Sequence, residues 1–461
     1  MKVNGHAAAS SSSQPGPVVL LVDNKVRDLK MAALIAHQLE EMGVPCRLEP
    51  LEAFRAVVGA YQPSMIIFNH LNASHLAGWS RHLADMGILV SVLPNEGFVY
   101  DDEWRPFMSG HFHSPKVDHF FCWNAQHRAA LVSEGSDKTQ NVHVVGVPRF
   151  DFFFKPWSNS LPPAPPRTSK KPRVLFCTNF VFARLHNNAR EQEMLFGGTQ
   201  QKIKGIELYP AAIESHWSSR NKITRYLEAL LDDGRFEVLL RPHPNEDRSF
   251  YERWMEKLPA ERKANLVYDP VTTITSLILD CDLEISCESC TTAVESWIAK
   301  KPTIELVFDK NPLLYREAHG QLNFECDSHE KLPEMIAHHI GAPEQLEKKE
   351  LRVKHLEKWC GSADGLSCHR IATIIADAVR AKQPADWSKL TAADSRRAIK
   401  LRTYQAVGQA YHYDPFLLFK HLLMKKRYAP KYKAYRKSIL PRDVAAAKAE
   451  LEALRTISAK S

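Results

Sequence analysis

Several things are missing from this chain of 461 residues, and each absence excludes a class. No run of about 18 apolar residues occurs, so no membrane-spanning helix is expected. The opening MKVNGHAAASSSSQPGP lacks the apolar stretch of a secretory leader, and the expected location is the cytoplasm. A second CxxC-type pair is also lacking. Nine cysteines are scattered, and the cluster Cys281, Cys287 and Cys290 has no partner pair to complete a zinc site, so all read as free thiols and no metal centre is expected. Excess positive charge is absent from most of the chain. Residues 384–461 hold 17 Lys and Arg against 6 Asp and Glu, a net +11, which leaves the preceding residues at about −3.

What is present is ordinary globular composition, 44% hydrophobic and 25% charged, at a length that suits two or three domains. From Val18 onward, apolar β-branched runs alternate with helical patterns, as in parallel βαβ units. The runs are VVLLV (18–22), MIIF (65–68), ILVSVL (88–93), HFFCW (119–123) and VHVVG (142–146). Such continuous runs suit strands buried on both faces. A helix is predicted from about Asp28 to Met42, with Leu29, Ala32, Ala33, Ala36 and Leu39 on one face and Gly43 as its stop. Residues 155–172 carry six prolines and read as an interdomain linker. A second series follows: RVLFCTNF (173–180), FEVLLRPHP (236–244), NLVYD (265–269), DLEISC (282–287) and TIELV (303–307). The predicted architecture is α/β, two Rossmann-like doubly wound domains facing a cleft, with a basic helical C-terminal tail. The expected divisions are a disordered 1–17, a first domain over 18–154, the linker over 155–172, a second domain over 173–383 and the tail over 384–461.

Three loops carry chemistry. RPHP places Arg241 and His243 just past a strand, where a cation and a proton donor suit a phosphate; a capped strand end is the plain alternative. Ser286, Ser289, Thr291 and Thr292 mark a strand-to-helix junction whose hydroxyls and free N–H groups suit an anion, or serve merely as an N-cap. The two loops are expected one strand-unit apart, close enough to grip one phosphate. In the first half, Asn95-Glu96-Gly97 follows a strand, and Glu96 there is either a surface turn residue or a general base toward an acceptor hydroxyl. Asp280-Cys281-Asp282 matches a metal-binding DxD superficially, but it precedes its strand and reads as a helix-to-strand turn.

With these residues the chain resembles the bacterial surface carbohydrate biosynthesis proteins, a GT-B-type group related to bacterial sialyltransferases and Kdo transferases. Sialyltransferases of that kind carry an acidic-acidic-Gly motif, an HP motif and a Ser/Thr motif; Glu96-Gly97, His243-Pro244 and Ser286 to Thr292 stand in the same order. VRDLK (26–30), VGVPRFD (145–151), TNF (178–180) and Glu295 followed by KKP (300–302) extend the likeness over residues 18–380. Asn95 stands where the motif has its first acid, and Val147 where the family's pattern has Asn. The resemblance implies an inverting glycosyltransferase that moves a nonulosonic acid or Kdo-type sugar from a CMP-sugar to a surface-glycan or lipid-linked acceptor. Glu96 would be the base and His243 the catalytic partner at the leaving phosphate. Arg241, Asn179, Ser286, Ser289, Thr291, Thr292 and Glu295 would hold the donor, with Glu295 on the ribose or simply an exposed helix charge. No cofactor and no metal is implied beyond the CMP-sugar substrate. A CDP-glycerol-type glycerophosphotransferase, a UDP-sugar isomerase and a non-catalytic binding module remain alternatives.

The tail segment 415–437 interleaves Phe416, Leu417, Leu418, Phe419, Leu422 and Leu423 with dense Lys and Arg. It suits an anionic membrane surface, with peripheral placement on the inner face of the cell membrane, or a helix packed on the body. Nucleic acid is not expected, since no binding motif accompanies the charge.

Overall fold

The computed structural model describes residues 15–95, 115–133, 141–196, 208–341, 346–411, 414–425, 427, 428, 431, 432, 435 and 438–458. Two compact units divide the chain: residues 1–149 with 359–461, and residues 150–358.

The sheet of the first unit has six parallel strands in the order β2-β1-β3-β4-β5-β6. These are β1 Val18–Val22, β2 Cys46–Pro50, β3 Met65–Phe68, β4 Leu89–Val92, β5 His119–Cys122 and β6 Val142–Val144. The sheet of the second unit runs β12-β11-β10-β7-β8-β9. Its members are β7 Arg173–Thr178, β8 Glu237–Pro242, β9 Leu266–Tyr268, β10 Leu283–Cys287, β11 Thr303–Leu306 and β12 Phe324–Cys326. Every pairing is parallel, as apolar strands joined through helical crossovers require. The two doubly wound α/β units are those read from the sequence. In each, the strand order reverses direction once, between β1 and β3 and between β7 and β10, and the crevice at that switch is where α/β sheets bind ligands.

The divisions of the chain fall differently from the sequence reading. The segment 155–172 is no free linker. It belongs to the second unit, where Thr168 donates through its backbone N–H and hydroxyl to Glu237 Oε1 (2.6 and 2.5 Å) and Arg167 Nη1 donates to Asp282 (2.8 Å). Residues 359–383 belong with the first unit, not the second. Helix Ser367–Ala381 lies on helix Lys25–Glu41, with His369 bonded to Gln38 (2.8 Å) and Arg380 donating to the Met42 carbonyl (2.6 Å).

Much of the residue range read as a tail is also part of that unit. Helix Ala392–Ala406 opens with a Thr391–Asp394 capping box and packs on helix Ala56–Tyr61. Gly59 permits this approach, because a Cβ there would meet the Asp394 carbonyl oxygen at 2.9 Å. Gln405 donates to Glu49 (2.7 Å), whose carboxyl also accepts from Tyr61 (2.6 Å); burial raises the Glu49 pKa to about 7. Helix Pro441–Ser458 buries Ala447, Leu451 and Leu454, and Lys30–Glu450 (2.6 Å) and Lys448–Glu40 (2.5 Å) link it to helix Lys25–Glu41.

Candidate functional site in the second unit

The RPHP loop is built from β8 outward. Arg241 lies in β8 beside Cys177 of β7, and its guanidinium donates to the Asp269 carbonyl (3.3 Å). Among the described residues no carboxylate reaches it within ion-pair distance, although it is buried. Burial lowers its pKa. Asp269 attracts it from beyond ion-pair distance; a buried cation with no carboxylate in direct contact is costly, and an anionic ligand would relieve that cost.

His243 follows, half-buried. Its backbone N–H donates to the Thr178 carbonyl (3.1 Å) and to Glu246 Oε1 (3.1 Å). The Asn245 N–H donates to His243 Nδ1 (3.1 Å), so the ring hydrogen sits on Nε2. Burial, then the positive Arg241, lowers the His243 pKa to about 4. The side chain is therefore a neutral Nε2–H donor near pH 7, suited to hydrogen-bonding an anion and not to proton transfer.

The sequence reading missed two residues here, one that holds this loop and one beside it. Glu246, buried, accepts from Thr178 Oγ1 (2.7 Å), from the Tyr251 hydroxyl (2.6 Å) and from the His243 N–H. Its position three residues after His243 in PHPNE was the available signal. His216, from helix Tyr209–Asp233, stacks on Phe182 (5.2 Å) and accepts from the Phe182 N–H at Nδ1 (3.1 Å). Its Nε2 has no hydrogen-bond partner among the described residues, and burial, with His243 adding to it, lowers its pKa to about 3. Nothing in the helical pattern singles it out.

The Ser/Thr loop follows β10. The structure puts β7 between β8 and β10, so the two loops are two strand spacings apart, about 9–10 Å, and not adjacent. Ser286 pairs in register with Glu305 of β11, and its hydroxyl donates to that carboxyl (2.5 Å) in the core. Thr292 donates to Glu284 (2.8 Å). Both hydroxyl hydrogens are thus committed internally, which leaves the hydroxyl hydrogens of Ser289 and of Thr291, half-buried at the first position of helix Thr291–Ile298. Glu288 and Ser289 are left-handed (φ 54° and 50°), a conformation that costs non-glycine residues about 1 kcal/mol or more each. Clamps on Ser289 hold it: its N–H donates to Glu305 Oε1 (2.7 Å) and its Oγ accepts from the Arg316 N–H (2.7 Å).

Glu295 is buried within its helix, not exposed on it, and Asn179 is half-buried just past β7. Asn179, Arg241, His243 and the β10 loop therefore flank the switch between β7 and β10 at the carboxyl edge of one sheet.

Burial pushes the carboxyls behind the β10 loop upward: Glu284 to about 8, Glu288 to about 8 and Glu305 to about 7. All nine cysteines are buried and none is in a disulfide, and burial raises Cys281 and Cys290 to about 12. Asp280 and Asp282 lie at the opposite, amino edge of the sheet, where Arg173 donates to Asp280 (2.6 Å) and Arg167 to Asp282 (2.8 Å). Arginines occupy these carboxylates, as a helix-to-strand turn allows.

In the first unit, Glu96 and Gly97 lie outside the described residues. The turn that leads to them is held at three points. Trp123 Nε1 donates to the Pro94 carbonyl (3.1 Å), Asn95 Nδ2 donates to buried Asp28 (2.9 Å), and Arg149 Nη1 donates to the Asn95 carbonyl (3.3 Å). Arg149 also lies over the Trp123 ring at 4.9 Å.

No family model and no curated protein matches the chain. Among solved structures it is similar to a Listeria monocytogenes protein assigned as a UDP-N-acetylglucosamine 2-epimerase, at 12% identity and TM-score 0.49 over 80% of this chain and 99% of that one. A UDP-GlcNAc 2-epimerase of Methanocaldococcus jannaschii, in complex with UDP-GlcNAc and UDP, is similar at 12% identity and TM-score 0.46, over 78% and 99%. The glycosyltransferase SnogD from Streptomyces nogalater is similar at 11% identity and TM-score 0.39, over 79% and 100%.

Proposed function

We propose that the chain is an inverting glycosyltransferase that moves a sugar from a CMP-activated donor to a glycan or lipid-linked acceptor at the inner face of the membrane. The observation that carries the reading is the β8 loop: a buried Arg241 without a carboxylate partner beside a neutral His243 that presents Nε2–H. In the transfer, an acceptor oxygen forms a bond to the anomeric carbon while the bond from that carbon to the phosphate oxygen breaks. Negative charge then grows on the leaving CMP. Arg241 and the His243 Nε2–H would meet that charge, with Thr291 and the N-terminal N–H groups of its helix on the far side of β7. Such a site gives a monophosphate its counter-charge from side chains, the role a divalent metal plays for a diphosphate. Glu96 takes the acceptor proton in this reading, a role that rests on the family resemblance.

A product assay tests it. The chain is supplied separately with CMP-sugar, UDP-sugar and CDP-glycerol in EDTA, each with and without a glycan acceptor. CMP release that depends on acceptor and yields a glycosidic product is expected. A phosphodiester product would establish the glycerophosphotransferase alternative, and UDP-sugar converted without acceptor the isomerase. Glu96→Gln should lose product yet still bind CMP; full turnover in that variant removes Glu96 from the mechanism.

A further inference from the structure

The C-terminal stretch holds one segment between two anchored ends. Ala410 and Tyr411 are buried on one side of it, Ile439 and Leu440 on the other. Within it, helix Leu417–Leu423 buries Leu417 alone, while Phe416, Leu418, Phe419, Leu422 and Leu423 are 54 to 72% exposed. Elsewhere in the described chain, exposed large apolar side chains come singly or in pairs. Five within eight residues form a patch of the kind that soluble monomers rarely display without use.

The charges around this patch say what covers it. Residues 414–440 contain eight Lys and Arg and one acid, Asp414, a net +7. Asp414 is taken by Lys420 (2.8 Å), and Lys425, Arg427 and Lys431 are exposed beyond the apolar residues. A second copy of the chain would bring a further +7 against this surface, so self-association through it is opposed. A neutral protein groove would leave the cations unmatched. A surface both apolar in depth and anionic at its rim matches, and a bilayer with anionic headgroups has that structure. No described helix is long and apolar enough to cross a membrane, so the segment would lie in the interface.

We propose that residues 414–440 are an interfacial anchor that docks the first unit on an anionic lipid bilayer. Phe416, Leu418, Phe419, Leu422 and Leu423 enter the boundary between headgroups and acyl chains, and Lys425, Arg427 and Lys431 meet the anionic headgroups. The proposal stands on this segment alone and is independent of the transfer chemistry.

The test uses the full chain, because helices 392–406 and 441–458 are part of the first unit and truncation would remove them. Sedimentation with vesicles of phosphatidylcholine and phosphatidylglycerol in equal parts is compared with pure phosphatidylcholine. The chain is expected to pellet with the mixed vesicles at low salt and to be released as salt rises. In F416S/F419S/L422S, binding should fall about tenfold or more, since each buried apolar group contributes to the partition. In K425E/R427E/K431E, the preference for anionic vesicles should vanish. Unchanged melting temperatures in both variants show that the fold is retained. Equal pelleting of the first variant and the unaltered chain, or no pelleting with either vesicle, overturns the anchor. So does a dimer in sedimentation velocity that the serine substitutions dissolve, which would assign the patch to a second copy.

Discussion

The start of the loop after β4 in the first unit (residues 93–95) and the loop after β8 in the second each lie just past the carboxyl end of a strand, one strand removed from the topological switch of their sheet. They are finished in opposite ways. After β4, polar groups pair with one another: Asn95 with Asp28, Pro94 with Trp123, the Asn95 carbonyl with Arg149. After β8, the backbone is tied down by Glu246, but Arg241 has no carboxylate partner and neighbouring His216 leaves Nε2 unbonded. A loop satisfied by its own protein holds a shape. A loop with fixed backbone and unmatched charge is ready for an anion, which is why the second unit is the donor side in the proposal.

Breaking the second loop should have the largest effect. His243→Ala should lower kcat for transfer by about 10²-fold or more, roughly 3 kcal/mol of transition-state stabilisation. An unchanged rate would return His243 to a strand-end residue. Arg241→Met, read by calorimetry, should weaken CMP binding by about 2 kcal/mol, the scale of a charge-assisted hydrogen bond. It should cost little stability, because no carboxylate lies at ion-pair distance from the cation and nearby Asp269 keeps the Val271 and Thr272 N–H groups (2.8 Å each); a strongly lowered melting temperature would contradict the comparison. In the first loop the pattern should reverse. Asp28→Ala strands the Asn95 amide and should cost about 1–2 kcal/mol of stability in denaturant melts, with CMP affinity unchanged.

The smallest effect is on the pH dependence of stability. Glu305, raised to about 7 in the folded chain from its usual 4.5, stabilises the fold fully below pH 4.5, and that stabilisation is lost as pH rises through about 7. His216, lowered to about 3 from 6.5, acts in the other direction, and its contribution is lost as pH falls from 6.5 toward 3. Glu305→Gln should therefore flatten the decline in melting temperature between pH 4.5 and 7 and leave the acid limb intact. A decline as steep as in the unaltered chain would show that the carboxyl does not titrate there.

The central strands were legible because burial on both faces writes them as mostly apolar runs, from VVLLV to TIELV, even where a buried Glu284 or Glu305 interrupts them. The two that escaped, β2 (CRLEP) and β12 (FEC), are edge strands, where a charge or a terminal proline is tolerated and the apolar signal is diluted. Domain boundaries were misplaced at residues 359–383 because an amphipathic helix such as Ser367–Ala381 shows that it has a partner, not which one. The same holds at the site. RPHP was readable because strand, cation and prolines are contiguous. The bonds of Ser286 to Glu305 and Thr292 to Glu284 depend on strand register and packing, which a serine or threonine at a strand end does not record.

The central claim is that the carboxyl edge of the second sheet grips a nucleotide monophosphate through side chains, without a metal. Isothermal titration of the full chain with CMP in EDTA tests it most directly, with His243→Ala and Arg241→Met measured beside it. CMP should bind, and each substitution should weaken that binding while the unbound proteins melt at similar temperatures. No binding until a divalent metal is added, or binding that neither substitution alters, would contradict it.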